Sequence, residues 1–268
     1  MHPVLNHVWS RAGKKPPFTD GRTLGLVLYG GAMTGVRGAG ACIALHELGL
    51  DHVFDHVITN SAGFCNASYL LADQVYLGTT IYFSDLIGRR FINPLRFWKI
   101  VDIDYVVDVM RHKKPLRVDA IRSSPTGLHV ALYNIQKKEN EFVHVQKDID
   151  PEKYFDVMHA ATALHYLHPG YTIINGVKYK DTKNSVYPRR VEKARELGCT
   201  DVVVMYNRRE YWRNMYAHDT DVFEYIPKAE WKLSTLETNP EKLKFACMQM
   251  GRMVKEAFGV QEDITLSL

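Results

Sequence analysis

Residues 24–35 of this chain read LGLVLYGGAMTG, an apolar run that passes directly into a glycine-rich turn. A short apolar run that ends in glycines is typical of a buried strand in a parallel sheet. The small apolar residues at 35–48, with Gly49 behind them, predict a helix packed closely on that strand. A second unit of this kind follows, because VFDHVITN (53–60) predicts a strand and SAGFCNASYLLA (61–72) predicts a helix. Consecutive strand–turn–helix units predict a doubly wound α/β sheet.

The rest of the chain continues this pattern with one interruption. The later predicted elements are strands at 128–135 and 141–145, a helix at 151–164, a hairpin at 171–181, a helix at 188–198 that begins with Pro188, a strand at 201–207 and a helix at 241–258. Residues 1–21 are basic and contain proline, which predicts a loop or a loosely docked N-terminal arm. Residues 76–117 are aromatic, basic and partly helical, which favours an insertion or lid within a single domain of residues 22–268.

The bulk properties are those of a water-soluble protein of ordinary composition. Of the 268 residues 46% are hydrophobic, and the formal net charge of +4 is too small to indicate nucleic acid as a partner. The four cysteines are scattered and have no metal-binding spacing, which predicts free thiols and no bound metal. The N-terminus lacks the apolar segment of a signal peptide, and no stretch is long enough to span a membrane. We therefore expect a cytoplasmic protein whose contact with membranes, if any, is peripheral.

The segment TNSAGF (59–64) has the features of a nucleophile elbow. Such an elbow, G-x-S-x-G, joins a strand to a helix and exposes a serine hydroxyl at the helix N-terminus. Ser61 and Gly63 fit the motif, whereas Thr59 replaces its first glycine and is expected to crowd the turn. The alternative is that Ser61 only caps the N-terminus of a buried helix, which is a common use of serine.

The segment GGAMTG (30–35) is suited to binding an anion through backbone N–H groups. It fails the nucleotide-binding pattern, because Val36 and Arg37 stand where a lysine and a serine or threonine are required. It also fails the dinucleotide pattern, because Ala32 replaces the second glycine. An oxyanion hole needs only two free N–H groups, for which Gly31 and Ala32 would serve. The alternative is a close-packed strand–helix turn that needs glycine for steric reasons.

Taken together, the order of these motifs resembles the patatin-like phospholipases, in particular their bacterial single-domain branch, over about residues 22–210. The matching residues are Gly30, Ala32 and Gly35 in the oxyanion loop, Ser61 and Gly63 in the elbow, and Asp181 in the distal aspartate motif. The flanking segments MHAATALHYLHPG and INGVKYKD are also similar to those of the family. The resemblance implies a three-layer α/β/α fold with a central, mostly parallel sheet.

The resemblance also implies a mechanism without histidine or cofactor. Asp181 would accept the proton of Ser61 as the hydroxyl attacks an acyl ester, and N–H groups of Gly30, Gly31 and Ala32 would bind the oxyanion. Partial burial would have to raise the pKa of Asp181 for it to act as a base. His165 and His168 are near Asp181 in sequence, but the order Ser…His…Asp matches none of the familiar triads.

The sequence departs from the family at several glycines, which keeps a second function open. Ala32, Thr59, Thr182 and Lys183 each replace a family glycine, and Thr34 stands where the family often has arginine. Ser61 and Asp181 are both retained. The first hypothesis is therefore a serine acyl hydrolase acting on lipids, and the alternative is a catalytically impaired member that binds a lipid or a protein partner.

The 76–117 segment predicts a lipid-facing surface. Its aromatic residues include Phe83, Phe91, Phe97 and Trp98, and they alternate with basic residues such as Arg89. Such a mixture suits an interfacial surface or an acyl-chain groove under a lid. The alternative is a helical layer whose aromatic side chains are buried in the core.

Overall fold

Eight strands form one mixed sheet at the centre of the computed structural model, which describes residues 1–165, 167–183, 189–209 and 215–266. The strands are β1 (Leu24–Leu28), β2 (His56–Thr59), β3 (Gly127–Asn134), β4 (Glu139–His144), β5 (Thr172–Ile174), β6 (Val177–Lys180), β7 (Asp201–Met205) and β8 (Val222–Tyr225). Their order is β5-β6-β3-β2-β1-β7-β8. Strands β2 and β6 pair with the first and last residues of β3 along one edge, and β4 pairs along its opposite edge. The neighbours from β3 through β2, β1 and β7 to β8 are parallel, whereas β4, β5 and β6 pair antiparallel.

Helices cover both faces of this sheet. They are α1 (Pro3–Ser10), α2 (Val36–Glu47), α3 (Ala62–Leu71), α4 (Val75–Ser84), α5 (Ile103–Asp108), α6 (Val118–Ser123), α7 (Val145–Asp148), α8 (Tyr154–Thr162), α9 (Arg190–Glu196) and α10 (Pro240–Ala257). Alternate residues of β1 face opposite layers, as the two-residue period of a strand requires. Leu26 lies in the large core, which also holds residues of α2, α3, α8 and α10, whereas Val27 packs with Val191 and Ala194 of α9. The predicted three-layer α/β/α fold with a mostly parallel sheet is confirmed.

The N-terminal residues are more ordered than the sequence predicted. Residues 3–10 form α1, whose Val4, Leu5 and Val8 are buried in the core, so this part of the chain is not a loose arm. Arg11 is only 1% exposed, and it forms ion pairs with the carboxylates of Asp20 and Asp55. These partners hold α1 against the sheet, and the expectation of a loop for these residues was wrong.

The 76–117 segment divides into a core part and a surface part. Its first residues belong to α4, which packs on α2, α3 and α10 and buries Phe83. Phe91 is also buried, whereas Phe97 and Trp98 are 82% and 63% exposed. A buried aromatic layer therefore describes the first half of this segment but not the loop around Trp98. In the described part of the chain, no helix is long and apolar enough to cross a membrane.

Candidate active site

The sheet topology brings Ser61 and Asp181 together from positions 120 residues apart in the sequence. The first residues of β3 pair with β2, and its last two residues pair with β6. Because β4 occupies the opposite edge of β3, β6 must lie on the same edge as β2. Since β6 runs antiparallel to β3, its C-terminal end approaches the C-terminal end of β2. Asp181 directly follows β6 and Ser61 lies two residues beyond β2, so the Ser61 hydroxyl comes close enough to the Asp181 carboxyl to lower its pKa.

Ser61 has the backbone conformation of a nucleophile elbow. Its φ is +49° and its ψ is −133°, which is a strained conformation for any residue except glycine. The two neighbouring glycines leave space for this turn. A Cβ atom on Gly30 would lie 2.6 Å from Cβ of Ser61, and a Cβ atom on Gly63 would collide with the backbone of Leu28. Ser61 makes no side-chain capping hydrogen bond to helix α3, so the alternative of a simple N-cap does not describe it.

Thr59 does not crowd the elbow as the sequence suggested. It is the last residue of β2, fully buried, and it pairs with Val130 in the sheet. Its hydroxyl donates a hydrogen bond to the backbone oxygen of His129 at 3.0 Å. The β-branched side chain is thus accommodated within the sheet, and Ser61 adopts the elbow conformation with threonine at this position.

The surroundings of Asp181 shift the pKa of its carboxyl group into the range of a general base. Its side chain is buried, and this burial raises its pKa from 3.8 to about 7. Hydrogen bonding from the Ser61 hydroxyl and from Thr182 favours the ionised carboxylate and opposes that effect. The backbone N–H of Thr182 donates to Oδ1 of Asp181 at 2.7 Å, and its hydroxyl lies 3.3 Å from the same oxygen. A carboxyl group with a pKa near 7 is about half ionised at neutral pH, which suits a general base.

Asn60 connects the aspartate to the glycine-rich loop. Its Oδ1 accepts a hydrogen bond from the N–H of Gly30 at 2.9 Å, and its Nδ2 donates to the hydroxyl of Thr182 at 3.1 Å. Thr182 in turn donates to Asp181. This chain of hydrogen bonds fixes the loop, the elbow and the aspartate relative to one another. Thr182 stands where the resembling family has glycine, so here the replacement supplies a hydrogen-bonding partner.

Asn207 holds the glycine-rich loop from its other side. Its Nδ2 donates to the backbone oxygens of Tyr29 and Gly30, and its Oδ1 accepts from the N–H of Gly38 at 2.7 Å. In a planar trans peptide the N–H points opposite to the C=O. The N–H of Gly31 therefore points away from Asn207. Nothing in the sequence identified Asn207, because its role depends on contacts between β7 and residues far away in the chain.

The N–H groups of this loop differ in their availability. That of Gly30 is engaged by Asn60, so it is not a free donor as the sequence suggested. The N–H groups of Gly31 and Ala32 have no hydrogen-bond partner within the described residues. Ala32 has φ +49°, and the carbonyl of Gly31 accepts from both the N–H and the hydroxyl of Thr34. Two donors are therefore free beside Ser61, which is the number that an oxyanion hole requires.

A mostly apolar cavity opens from Ser61. Its lining residues are Ala32, Met33, Ser61, Ala62, Cys65, Asn66, Tyr69, Gly78, Ile81, Tyr82, Leu86, Phe91, Ile103, Val106, Met110, Thr162 and Leu164. The cavity encloses about 560 Å³ when the space at its open mouth is included. Most of these side chains are aliphatic or aromatic. Such a lining suits an acyl chain with its carbonyl carbon at Ser61.

The neighbouring histidines do not complete a triad. Nε2 of His165 lies 2.8 Å from the backbone oxygen of Asp181, so its contact is with the main chain and not with the carboxylate. His168 contacts the backbone oxygen of Val101. Cys65 lines the cavity, but burial raises the pKa of its thiol to about 12, which makes it a poor nucleophile. Asp181, whose pKa is about 7, thus remains the titratable side chain beside Ser61 that could accept a proton.

Comparison with known proteins gives distant similarities. No protein-family model matches the sequence. The chain is 24% identical over 255 residues to the uncharacterized protein YjjU of Escherichia coli (strain K12), which covers 84% of this chain and 70% of that protein. Among solved structures, VipD from Legionella pneumophila has a TM-score of 0.43 at 12% identity, covering 78% of this chain and 55% of that chain.

The ExoU–SpcU complex of the Pseudomonas aeruginosa type III secretion system has a TM-score of 0.40 at 13% identity, covering 93% of this chain and 53% of that chain. The present chain thus spans about half the length of each of the two solved structures. At these levels of similarity, an assignment of function has to rest on the residues of the site itself.

Proposed function

We propose that this protein is a serine acyl hydrolase that cleaves carboxylic esters with an apolar acyl chain, as patatin-like phospholipases do. The observation that carries the proposal is the placement of Ser61. It occupies a strained elbow, faces a buried carboxyl group whose pKa is about 7, and lies at the end of an apolar cavity. A serine that served only to cap a helix would need none of these features.

The proposed reaction has two steps and returns the enzyme to its starting state. In the first, Asp181 takes the proton of Ser61 while Oγ attacks the ester carbonyl, and the tetrahedral oxyanion accepts hydrogen bonds from the N–H groups of Gly31 and Ala32. Asp181 then gives the proton to the leaving alcohol, and the acyl group remains on Ser61. In the second step Asp181 takes a proton from water, whose oxygen attacks the acyl-enzyme. The fatty acid leaves and Ser61 regains its proton.

The alternative of a binding protein without turnover is favoured by one observation. The N–H of Gly30 is occupied by Asn60, so the loop has no donor beyond the two that an oxyanion hole requires, and it would stabilise a tetrahedral oxyanion less than three donors would. In that case the cavity would hold an acyl chain but Ser61 would not react. The two functions differ in the chemical reactivity of a single hydroxyl group.

A fluorophosphonate probe tests this difference, because it forms a covalent bond only with an activated serine. We expect stoichiometric labelling of the native protein, no labelling of Ser61→Ala, and normal labelling of Ser84→Ala, whose hydroxyl lies on the surface at the end of α4. Hydrolysis of p-nitrophenyl esters should increase with acyl length from acetate towards longer chains, since the cavity lining is apolar. A folded protein that binds fatty acid but neither reacts with the probe nor hydrolyses esters would show that the binding function is correct.

A further inference from the structure

Three large apolar side chains project into solvent from one short loop. We call residues 93–100 the tip loop. Its Leu95, Phe97 and Trp98 are 75%, 82% and 63% exposed, and the rings of Phe97 and Trp98 contact each other edge to face at 4.9 Å. Single exposed apolar residues are common on protein surfaces, but three within four positions are unusual and indicate a surface that contacts another protein or a membrane.

The tip loop is held in place by its own hydrogen bonds. Ile92 and Val101, which flank the loop, form an antiparallel β-bridge at its base, and the N–H of Asn93 donates to the backbone oxygen of Ile100 at 2.9 Å. The guanidinium of Arg96 donates to the backbone oxygens of Arg90 and Phe91 and to the carboxylate of Asp102. The N–H groups of Arg96 and Lys99 also donate to the backbone oxygens of Asn93 and Arg96, so part of the loop backbone is already paired, which lowers the desolvation cost of entering an apolar medium.

The tip loop stands at the rim of the apolar cavity. Phe91, just before the loop, and Ile103, just after it, both line the cavity that opens from Ser61. A second exposed apolar pair, Tyr171 and Ile173, belongs to the β5 hairpin. The two surfaces are joined by polar contacts, because Lys99 binds Asp104, which contacts His159, which in turn contacts the hydroxyl of Thr172. The two exposed apolar surfaces are therefore close to each other, and residues on both sides of the tip loop belong to the cavity wall.

Positive charge is concentrated around the same loop. Residues 85–117 contain eight lysines and arginines and four aspartates, so their excess of +4 equals the formal net charge of the whole chain. Lys99 and Arg96 are neutralised by Asp102 and Asp104, which directly follow the loop. Other cations of this segment face solvent, including Arg89, Arg90 and Lys113, and the last two lie over the ring of Tyr105.

We propose that the tip loop docks this protein on an anionic lipid surface, with Leu95, Phe97 and Trp98 inserted below the headgroups and Arg89 and Arg90 contacting lipid phosphates. Tryptophan and phenylalanine beside cations are the side chains that favour this interfacial region. The docking would place the mouth of the cavity against the bilayer, so that an acyl chain could enter it without crossing water. The inference rests on the proposed function for its purpose, but vesicle binding is measured independently of turnover.

Sedimentation with lipid vesicles tests the apolar part of this surface. Vesicles of phosphatidylcholine with 30 mol% phosphatidylglycerol are mixed with the Ser61→Ala protein, which cannot consume them. We expect binding that falls at least tenfold when Phe97 and Trp98 are both replaced by serine. The matched control is Phe245→Ser, because Phe245 is also 63% exposed but lies on α10, outside the proposed surface. This control should bind as the parent protein does.

A charge-reversal pair tests the electrostatic part. Arg89→Glu with Arg90→Glu should weaken binding to the anionic vesicles at least tenfold at low salt and less at high salt, because exposed charges are screened within about 8 Å at physiological ionic strength. Lys14 and Lys15 are a second pair of adjacent, exposed cations, outside the proposed surface. Replacing both by glutamate changes the net charge equally and should weaken vesicle binding much less. Melting temperatures of all variants identify any that fail to fold.

Three results would overturn the proposal. The first is that the folded parent protein does not bind vesicles, and the second is that the control variants lose as much vesicle binding as the test variants. The third is a dimer in size-exclusion chromatography that the double replacement of Phe97 and Trp98 by serine abolishes, in a protein that does not bind vesicles. The last result would assign the tip loop to contact between two copies of the chain. Vesicle binding without any esterase activity in the native protein would instead refute the proposed function and leave the docking surface in place.

Discussion

Replacing Asp181 by asparagine should stabilise the folded protein at neutral and alkaline pH while removing its activity. Burial raises the pKa of this carboxyl from 3.8 to about 7. Between these values the folded protein keeps a proton that the unfolded chain has lost, so the free energy of unfolding decreases as the pH rises through this window. Three pKa units at about 1.4 kcal/mol each correspond to about 4 kcal/mol of lost stability above pH 7. Asparagine carries no charge at any pH and avoids this cost.

Urea unfolding at pH 4, 6 and 8 measures the effect. We expect Asp181→Asn to match the native protein at pH 4 and to exceed it by about 2–4 kcal/mol at pH 8, the upper value following from the full shift. Asn at this position can still accept the hydrogen bond from the N–H of Thr182. Asp108→Asn is the control, since it also removes one carboxylate but at an exposed position on α5. A variant that is less stable than the native protein at pH 8, or a difference that is the same at all pH values, would refute this reasoning.

Three further outcomes follow from the same site. Ser61→Ala and Asp181→Asn should each abolish ester hydrolysis, and the double variant should be no slower than either, because residues that act as a unit are not additive; multiplicative losses in kcat/KM would contradict the pairing. Thr182→Val removes a donor to the carboxylate, so the acidic limb of the kcat/KM profile should move to higher pH by about one unit, whereas the buried control Thr79→Val should leave it in place. Thr59→Gly should lower the free energy of unfolding by about 2 kcal/mol without raising turnover, since it loses the hydrogen bond to the sheet and introduces glycine into a strand; higher turnover would show that threonine does crowd the elbow.

Local sequence patterns were sufficient for the first two strands of the sheet and the helices that follow them. The apolar runs before Gly30 and Ser61 and the glycines after them predicted β1, β2 and their helices, since each of these signals depends on neighbours along the chain. The approach of Asp181 to Ser61 was expected only from the resemblance to a family. It depends on the way β6 continues the edge of β3 beyond β2, which no local pattern encodes.

The features that the sequence did not reveal depend on distant contacts. Helix α1 is held by Arg11, whose partners Asp20 and Asp55 belong to separate segments. The effect of Thr59 was misjudged because the side chain is directed into the sheet rather than into the turn. Strand β8 (Val222–Tyr225) was not predicted, since it is a short edge strand that pairs only with β7.

The hydrogen bonds from Asn60 to Thr182 and Gly30 have a consequence for how such a site can change during evolution. Glycine at position 182 would remove the acceptor of Asn60 and a side-chain donor to Asp181 together. Thr182→Gly should therefore be harmful in this sequence, because Asn60 would lose its partner at the same time. Glycine at this position would then be tolerated only together with a change at Asn60, because the two side chains share a hydrogen bond. Residues that look like erosion when they are counted singly are then interdependent parts of one arrangement.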